Sequence, residues 1–450
     1  MKIIRPFEGY DFILKTTWLY NFTCIDGKII EKKIWEKTLS SLQVHQAFQA
    51  VFKTNEDGIS NFVLPDSKYP VVVDFIEPTD MEQIDIFAQP YSKSISKFIP
   101  KDLYEKTENN LLFRMVVVSC PIYKRQIVLF FIHHLICDGR QTFRIFNSIL
   151  NHAIHDTCIS PDEFDGHLSF ASPRWKWFVD REDQLLDYLK DLKDKYKDIW
   201  TECKDPSVVP SYLPPHSDKL PNLVCGFGHF PMESLHKKVK DHSISYQGLV
   251  LAINTFVNSV FWGKEDLKGK HSAMVSVDMR ALSSFIIPKD FHKHTFLSGS
   301  GACFPTIDIA DSEDISLWDV AKLWTEACSK RCLTQEPIFH SLICTLISTK
   351  PSAFDLSYLS LLPKDQTIMA SNLGRIEFSI DSDEVSMLNG ECFMGALVDP
   401  ASIPPSSPGK MNLHLYSIGD KVCFNLTLPS SQEDKLDECI AFIKKLLERF

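Results

Sequence analysis

Two apolar, β-favouring runs, Phe113 to Val118 and Gln126 to His133, are separated by little more than Pro121 and the Lys124–Arg125 pair, and they constrain the fold more than any other feature. Their spacing predicts a hairpin, and their lack of polar alternation predicts burial on both faces. After Asp138–Gly139, apolar residues fall at Phe143, Phe146, Ile149, Leu150, Ala153 and Ile154, the spacing of a helix stripe. A core strand ending in His133–His134 therefore leads into a helix opened by Asp138–Gly139.

The rest of the chain mixes both elements, so the fold class is α/β. Residues 11 to 25 read as a strand closed by the Asp26–Gly27 turn signal. From Glu31 to Phe52, Trp35, Leu39, Leu42, Phe48 and Val51 recur near helical spacing and predict one amphipathic helix. Arg181 to Trp200 reads as a charged surface helix. Five prolines between Lys204 and Asn222 are too many for an element interior and mark a crossover. The expected organisation is a first subdomain over 1–205, a linker over 206–224 and a second subdomain over 225–450. In the second, Tyr246 to Trp262 and Leu317 to Leu333 read as helices. Ser272 to Val277, Gln366 to Ala370, Gly374 to Ile380 and Lys421 to Leu428 read as strands, and Ser431 to Phe450 as a helix with Glu433 and Asp434 at capping-box spacing.

Composition narrows the function classes. Lys and Arg total 48 against 58 Asp and Glu, a net charge of −10, which disfavours general attraction to nucleic acid or anionic membranes. No apolar run approaches the ~20 residues a membrane helix needs. The first residues lack the apolar stretch of a secretory signal, so a cytoplasmic location is expected. The 13 cysteines include no C-x-x-C pair and read as reduced core thiols, with neither a metal site nor a disulfide frame. The sequons at Asn21 and Asn425 lie inside apolar alternating segments and read as chance matches. Gly299–Ser300–Gly301 lacks the lysine of a phosphate loop and reads as a loop, and His236–Lys240 as a basic run on a helix.

The sharpest chemical feature is His133-His134-Leu135-Ile136-Cys137-Asp138-Gly139, an H-H-x-x-x-D-G. A histidine at the end of a buried strand is held rigidly, and its near-neutral pKa suits it to take a proton from a hydroxyl or amine. Adjacent strand residues point to opposite faces, so the two rings do not readily share a metal ion. One ring faces the reaction and the other the core. Singly, each residue has a plainer reading: two satisfied core histidines, and Asp138 as a helix N-cap. Their combination at this spacing favours function. Cys137 reads as an ordinary core thiol.

This motif on a strand-to-helix junction resembles the chloramphenicol-acetyltransferase-like superfamily, which includes alcohol acetyltransferases, BAHD acyltransferases and condensation domains. Arg5–Pro6, Phe12–Leu14 and Phe113–Arg114 resemble alcohol-acetyltransferase-like members, while the D-F-G-W-G motif of plant BAHD enzymes is absent. The resemblance implies two subdomains, each a mixed sheet flanked by helices, with an active-site tunnel at their interface. It implies acyl transfer from an acyl-CoA cosubstrate to a small-molecule alcohol, with no bound cofactor and a monomeric protein. An amine acceptor, a carrier-bound donor, or a non-catalytic binding protein of the same fold are the alternatives. By the same resemblance His134 is the general base, His133 supports it, Asp138 pairs with an arginine nominated as Arg280, and Gly139 leaves room for the donor's pantetheine arm. Ser371-Asn372-Leu373-Gly374 resembles the S-N-x-G stretch of alcohol-acetyltransferase-like members, which makes Ser371, Asn372 and Gly374 candidate oxyanion or substrate contacts.

Overall fold

The computed structural model describes residues 2–6, 17–56, 60–78, 86–91, 93–100, 102–103, 110–164, 182–200, 223–262, 267–278, 300–310, 315–340, 368–398 and 411–448. The strands are β1 (Lys2–Pro6), β2 (Thr17–Gly27), β3 (Val51–Thr54), β4 (Ser60–Leu64), β5 (Val73–Ile76), β6 (Phe113–Cys120), β7 (Arg125–His133), β8 (Leu223–Pro231), β9 (Gly269–Asp278), β10 (Ser300–Cys303), β11 (Thr306–Ile309), β12 (Ile368–Ile376), β13 (Val385–Val398), β14 (Asn412–Ile418) and β15 (Lys421–Pro429). The α-helices are α1 (Lys32–Ser41), α2 (Gly139–Ile154), α3 (Glu182–Trp200), α4 (Met232–Asp241), α5 (Tyr246–Trp262), α6 (Leu317–Leu333) and α7 (Glu433–Glu448).

Locally encoded elements fall where the sequence puts them. The hairpin β6–β7 runs antiparallel from the Phe113–Ile132 pair to the Cys120–Arg125 pair, and both strands are almost wholly buried. Helices α2, α5 and α6 begin and end as their apolar spacing predicts. The helix expected over Glu31 to Phe52 is shorter. It stops at Ser41 and gives way to two 3₁₀ turns, Leu42–Val44 and Gln46–Phe48, separated by His45 in an extended conformation. Such turns still bring apolar residues back every third position, so the periodicity persists after the α-helix has ended. Val51 and Phe52 then enter β3, as a β-branched and an aromatic residue favour.

Three other expectations are corrected. Ile368–Ala370 and Gly374–Ile376 are parts of one strand, β12, with a register irregularity between Asn372 and Arg375; Gln366 and Thr367 lie outside the described residues, and Glu377 to Ile380 follow the strand. Ser300 and Gly301 lie in β10, not in a loop. The serines before α7 lie in a 3₁₀ turn, Ser430–Gln432, so the α-helix starts at Glu433; a full capping box sits at Ser316 and Asp319 before α6. The proline-rich stretch lies outside the described residues up to 222, and Leu223 and Val224 already belong to β8.

Among the described residues three sheets result. A five-stranded sheet, in the order β13-β2-β7-β6-β5, is mixed, because β5 joins β6 in parallel while the other pairs are antiparallel. A seven-stranded sheet runs β10-β9-β12-β14-β15-β8, with β11 also on β9; β12 is parallel to both neighbours. A small sheet holds β1, β4 and β3. Strand β13 comes from the second half of the chain, yet it pairs with β2 along Thr17 to Gly27 and completes the first half's sheet.

Two apolar cores follow this division. One surrounds the five-stranded sheet, α1 and α2; the other fills the space between the seven-stranded sheet and α5, α6 and α7. Among the described residues every cysteine is free, and both sequon asparagines are fully buried. No single helix among them is long and apolar enough to cross a membrane.

Candidate active site

Strand β7 carries the histidine pair to the junction of the halves. The His133 amide donates to the Leu112 carbonyl at 2.8 Å, which continues the β6–β7 ladder. Its ring is fully buried, edge-on to Trp18 with centroids 4.9 Å apart, and Nδ1 accepts from the Leu135 amide at 3.2 Å. His133 thus fixes the turn that follows. His134 donates its amide to the Thr17 carbonyl at 2.9 Å, and its ring is half-buried. Its Nδ1 is the nitrogen closed from solvent, and the backbone of His134 and Cys137 acts on the ring as hydrogen-bond acceptor, which favours the proton on Nδ1 and leaves Nε2 bare to meet a ligand.

Burial holds the His134 pKa below the ordinary imidazole range; the nearby backbone of His134 and Cys137 and the Asp138 charge act the other way. The ring is therefore neutral at pH 7 and able to accept a proton. Cys137 is fully buried, with Sγ donating to the Asp138 carbonyl at 3.2 Å.

Asp138 caps α2. One carboxylate oxygen, Oδ1, accepts from the amides of Arg140 at 3.2 Å and Gln141 at 3.1 Å, donors that no helical carbonyl can reach. Arg280 lies outside the described residues. Gly139 opens the helix in a crowded place: a β-carbon there would stand 2.7 Å from Met394 Cε and 3.0 Å from Leu373 Cδ2. The space expected for a donor arm at this glycine is occupied by those two side chains, one on β13 and one on β12.

The S-N-x-G stretch lies within β12. Asn372 Oδ1 accepts from the Gly374 amide at 3.0 Å, and the Asn372 amide donates to Gln247 Oε1 of α5 at 3.3 Å. Gly374 has φ +73°, the left-handed conformation that glycine adopts without steric cost. Its role is to carry the strand irregularity. Ser371 stands in register with His414 of β14.

His414 is the residue that the sequence reading missed. Along β14 the side chains alternate: Leu413 and Leu415 enter the second core, whereas Tyr416 and Ile418 join the first. His414 shares the face of Tyr416 and Ile418, toward the first half of the chain. It is 5% exposed, and its Nδ1 is sealed without a partner. Its pKa is pushed down to about 4, first by burial and then by the charge of His134, so the two rings lie within electrostatic reach of each other.

Other contacts hold the halves together around this pair. Asn425 Nδ2 of β15 donates to the Tyr20 hydroxyl of β2 at 3.1 Å, and the Tyr416 hydroxyl accepts from the Met394 amide at 2.9 Å. Helix α2 grips the chain beyond β12: Asn147 Oδ1 accepts from the Ser379 amide at 3.0 Å, and Asn151 Oδ1 from the Asp381 amide at 2.9 Å. A separate groove of about 500 Å³ lies along β5. Its Arg114 is already paired with Asp74 at 2.6 Å and Asp102 at 2.7 Å, and none of its lining residues belongs to the His134 loop.

Two mixed sheets flanked by helices, the first completed by β13 from the second half of the chain, and a histidine loop at their seam define the chloramphenicol-acetyltransferase-like fold. Solved structures of that fold match the chain along nearly its whole length. The condensation domain from the Monacolin K polyketide synthase MokA has 12% identity and a TM-score of 0.61, covering 100% of this chain and 98% of its own. The polyketide synthase associated protein 5 from Mycobacterium tuberculosis has 10% identity and a TM-score of 0.57, covering 99% and 98%. The starter condensation domain of rhizomide synthetase RzmA, a mutant in complex with C8-CoA, has 12% identity and a TM-score of 0.57, covering 96% and 89%. No protein-family model matches the sequence, and no curated protein matches it.

Proposed function

We propose that the chain is an acyltransferase that moves an acyl group from an acyl-CoA thioester to the hydroxyl of a small molecule. The observation that carries this reading is a neutral, half-buried imidazole at the seam of the two halves, with Nε2 free to meet a ligand. His134 takes the hydroxyl proton as the oxygen attacks the thioester carbonyl. The C–S bond then breaks, and the proton held by His134 passes to the leaving thiolate. General-base catalysis of this kind contributes roughly 10²–10⁴-fold, and holding the two substrates in line contributes much of the remainder. The likeness to a starter condensation domain solved with C8-CoA supports an acyl-CoA donor. In this reading Asp138 also meets Arg280, Ser371 contacts substrate, and the protein acts as a monomer.

A second reading has an amine acceptor, giving an amide, or a carrier-bound donor. It is favoured by the number of condensation domains among the similar structures. One experiment separates them: incubate purified protein with acyl-CoA donors from acetyl to palmitoyl and a mixed panel of alcohols and amines, then read CoA release and product masses. Acceptor-dependent esters support the first reading and amides the second. A His134→Ala variant retaining the parent's turnover overturns both.

A further inference from the structure

We propose that His414 is a catalytic residue of the same reaction, donating a hydrogen bond from Nε2 to the acyl carbonyl oxygen as that oxygen becomes negative. This rests on the acyl-transfer reading above and assigns the oxyanion contact to a residue outside the H-H-x-x-x-D-G and S-N-x-G segments.

The placement follows from the strand. The faces of β14 are committed by their neighbours, Leu413 and Leu415 to one core, Tyr416 and Ile418 to the other, so the His414 ring emerges at the seam where β7 delivers His134. Its register partner on β12 is Ser371, and Leu373, two residues further along β12, touches the Gly139 position at the start of α2. The two imidazoles thus come from opposite halves of the fold onto one site.

The ring is suited to donating and ill suited to accepting a proton. It is 5% exposed, it has no hydrogen bond to another described residue, and its Nδ1 is sealed. Unlike His134, this ring has no backbone acceptor acting on it among the described residues, and a sealed Nδ1 is then tolerated more readily as a bare acceptor than as an unmet N–H, which puts the proton on Nε2. With a pKa of about 4 the ring stays neutral when His134 becomes charged, so it does not compete for the substrate's proton. A neutral imidazole fixed in a partly dry site stabilises a developing oxyanion without reorganising. A buried ring without a partner among the described residues is also costly unless something else uses it.

In atomic terms, the acceptor oxygen forms a bond to the carbonyl carbon while its proton goes to His134 Nε2. The carbonyl π pair moves onto oxygen, where the His414 N–H meets it. Collapse restores the C=O and expels the thiolate, which takes the proton back from His134. His414 keeps its own proton throughout.

The test compares His414→Leu, His414→Gln and His134→Ala with the parent, using the acyl-CoA and acceptor pair that the parent turns over best. Loss of one oxyanion donor lowers kcat by about 10²–10³-fold. His414→Leu is expected to show that loss with KM changed less than threefold, and His414→Gln, which keeps an N–H donor, to recover at least tenfold of it. A purely structural role would shift folding and both kinetic constants for Leu and Gln alike. If His134→Ala is inactive while His414→Leu keeps the parent's kcat, the oxyanion role is overturned and the acyl-transfer reading stands. If His134→Ala keeps the parent's turnover, the acyl-transfer reading falls and this role with it.

Discussion

Gly139, the first residue of α2, lies directly against Met394 of β13, and a β-carbon on the glycine would stand 2.7 Å from Met394 Cε. A helix from the first half of the chain and a strand from the second are therefore in contact one residue from Asp138, at the end of the loop that carries His134.

Gly139→Ala is expected to destabilise the protein by about 1 kcal/mol. Overpacking costs about 1–3 kcal/mol, and the gain in helix propensity offsets part of that. In a Met394→Ala background the collision is relieved and the cost of Gly139→Ala should fall close to zero. Urea melts of the four proteins in this cycle check the coupling; additive effects would show that the two side chains do not compete for one space.

Asp138 holds two otherwise unmet amides at the start of α2. Asp138→Ala should cost about 1 kcal/mol of stability, and Asp138→Asn or Asp138→Ser should restore most of it, since those residues also cap. Denaturant titration gives the ranking. If Asn and Ser are as damaging as Ala, capping is not what the carboxylate contributes.

Stability should fall on acidification through the histidine pair. In the unfolded chain His414 titrates near 6.5, whereas in the fold it does so at about 4. Between those values the unfolded state binds more protons, so stability is complete above pH 6.5 and is lost as pH falls toward 4. The difference corresponds to about 3 kcal/mol, to order of magnitude. The depressed His134 pKa adds in the same direction. Urea midpoints at pH 7.0, 5.5 and 4.5 should show this slope in the parent and a shallower one in His414→Leu.

The two rings can also be titrated separately. Because the charge of His134 lowers the His414 pKa, His134→Ala should raise the His414 value above 4, still short of 6.5 because burial remains. Ring-proton NMR of histidine-labelled protein reads it. An unchanged value would mean the rings do not sense each other.

Asn425 bridges the Tyr20 hydroxyl at 3.1 Å and accepts from Thr427 Oγ1 at 3.0 Å, all fully or nearly fully buried. Asn425→Ala removes one hydrogen bond from each partner, leaving them to Cys225 and to each other, and should cost about 1–3 kcal/mol. Adding Tyr20→Phe to that variant should recover part of the loss, because it removes a hydroxyl that has lost its amide donor. Thermal melts of the pair check it; no recovery would mean the hydroxyl finds another partner.

The sequence was most legible where structure is local. The apolar stripes of α2, α5 and α6 and the paired runs of β6 and β7 each specify their element within a few turns of chain, and H-H-x-x-x-D-G fell on the strand end, loop and helix start that its residue types require. What failed was the part set by distant partners. Strand β13 pairs with β2 more than 350 residues away, which no window of sequence can show. His414 was hidden for a related reason: both faces of β14 are buried, so the run Asn412 to Ile418 looks uniformly interior. Its signal was the alternation of Leu413 and Leu415 with Asn412, His414 and Tyr416, a polar face within an otherwise dry strand.

The late arrival of β13 has a consequence for synthesis. Until translation has passed Val398, the eleven-residue strand Thr17–Gly27 has one flank bare, and a nascent chain with that flank open can recruit the wrong neighbour. Expression of residues 1–205 alone leaves that flank open permanently. The amino-terminal sheet of this protein must wait for a strand that is synthesised more than 350 residues after the one it pairs with.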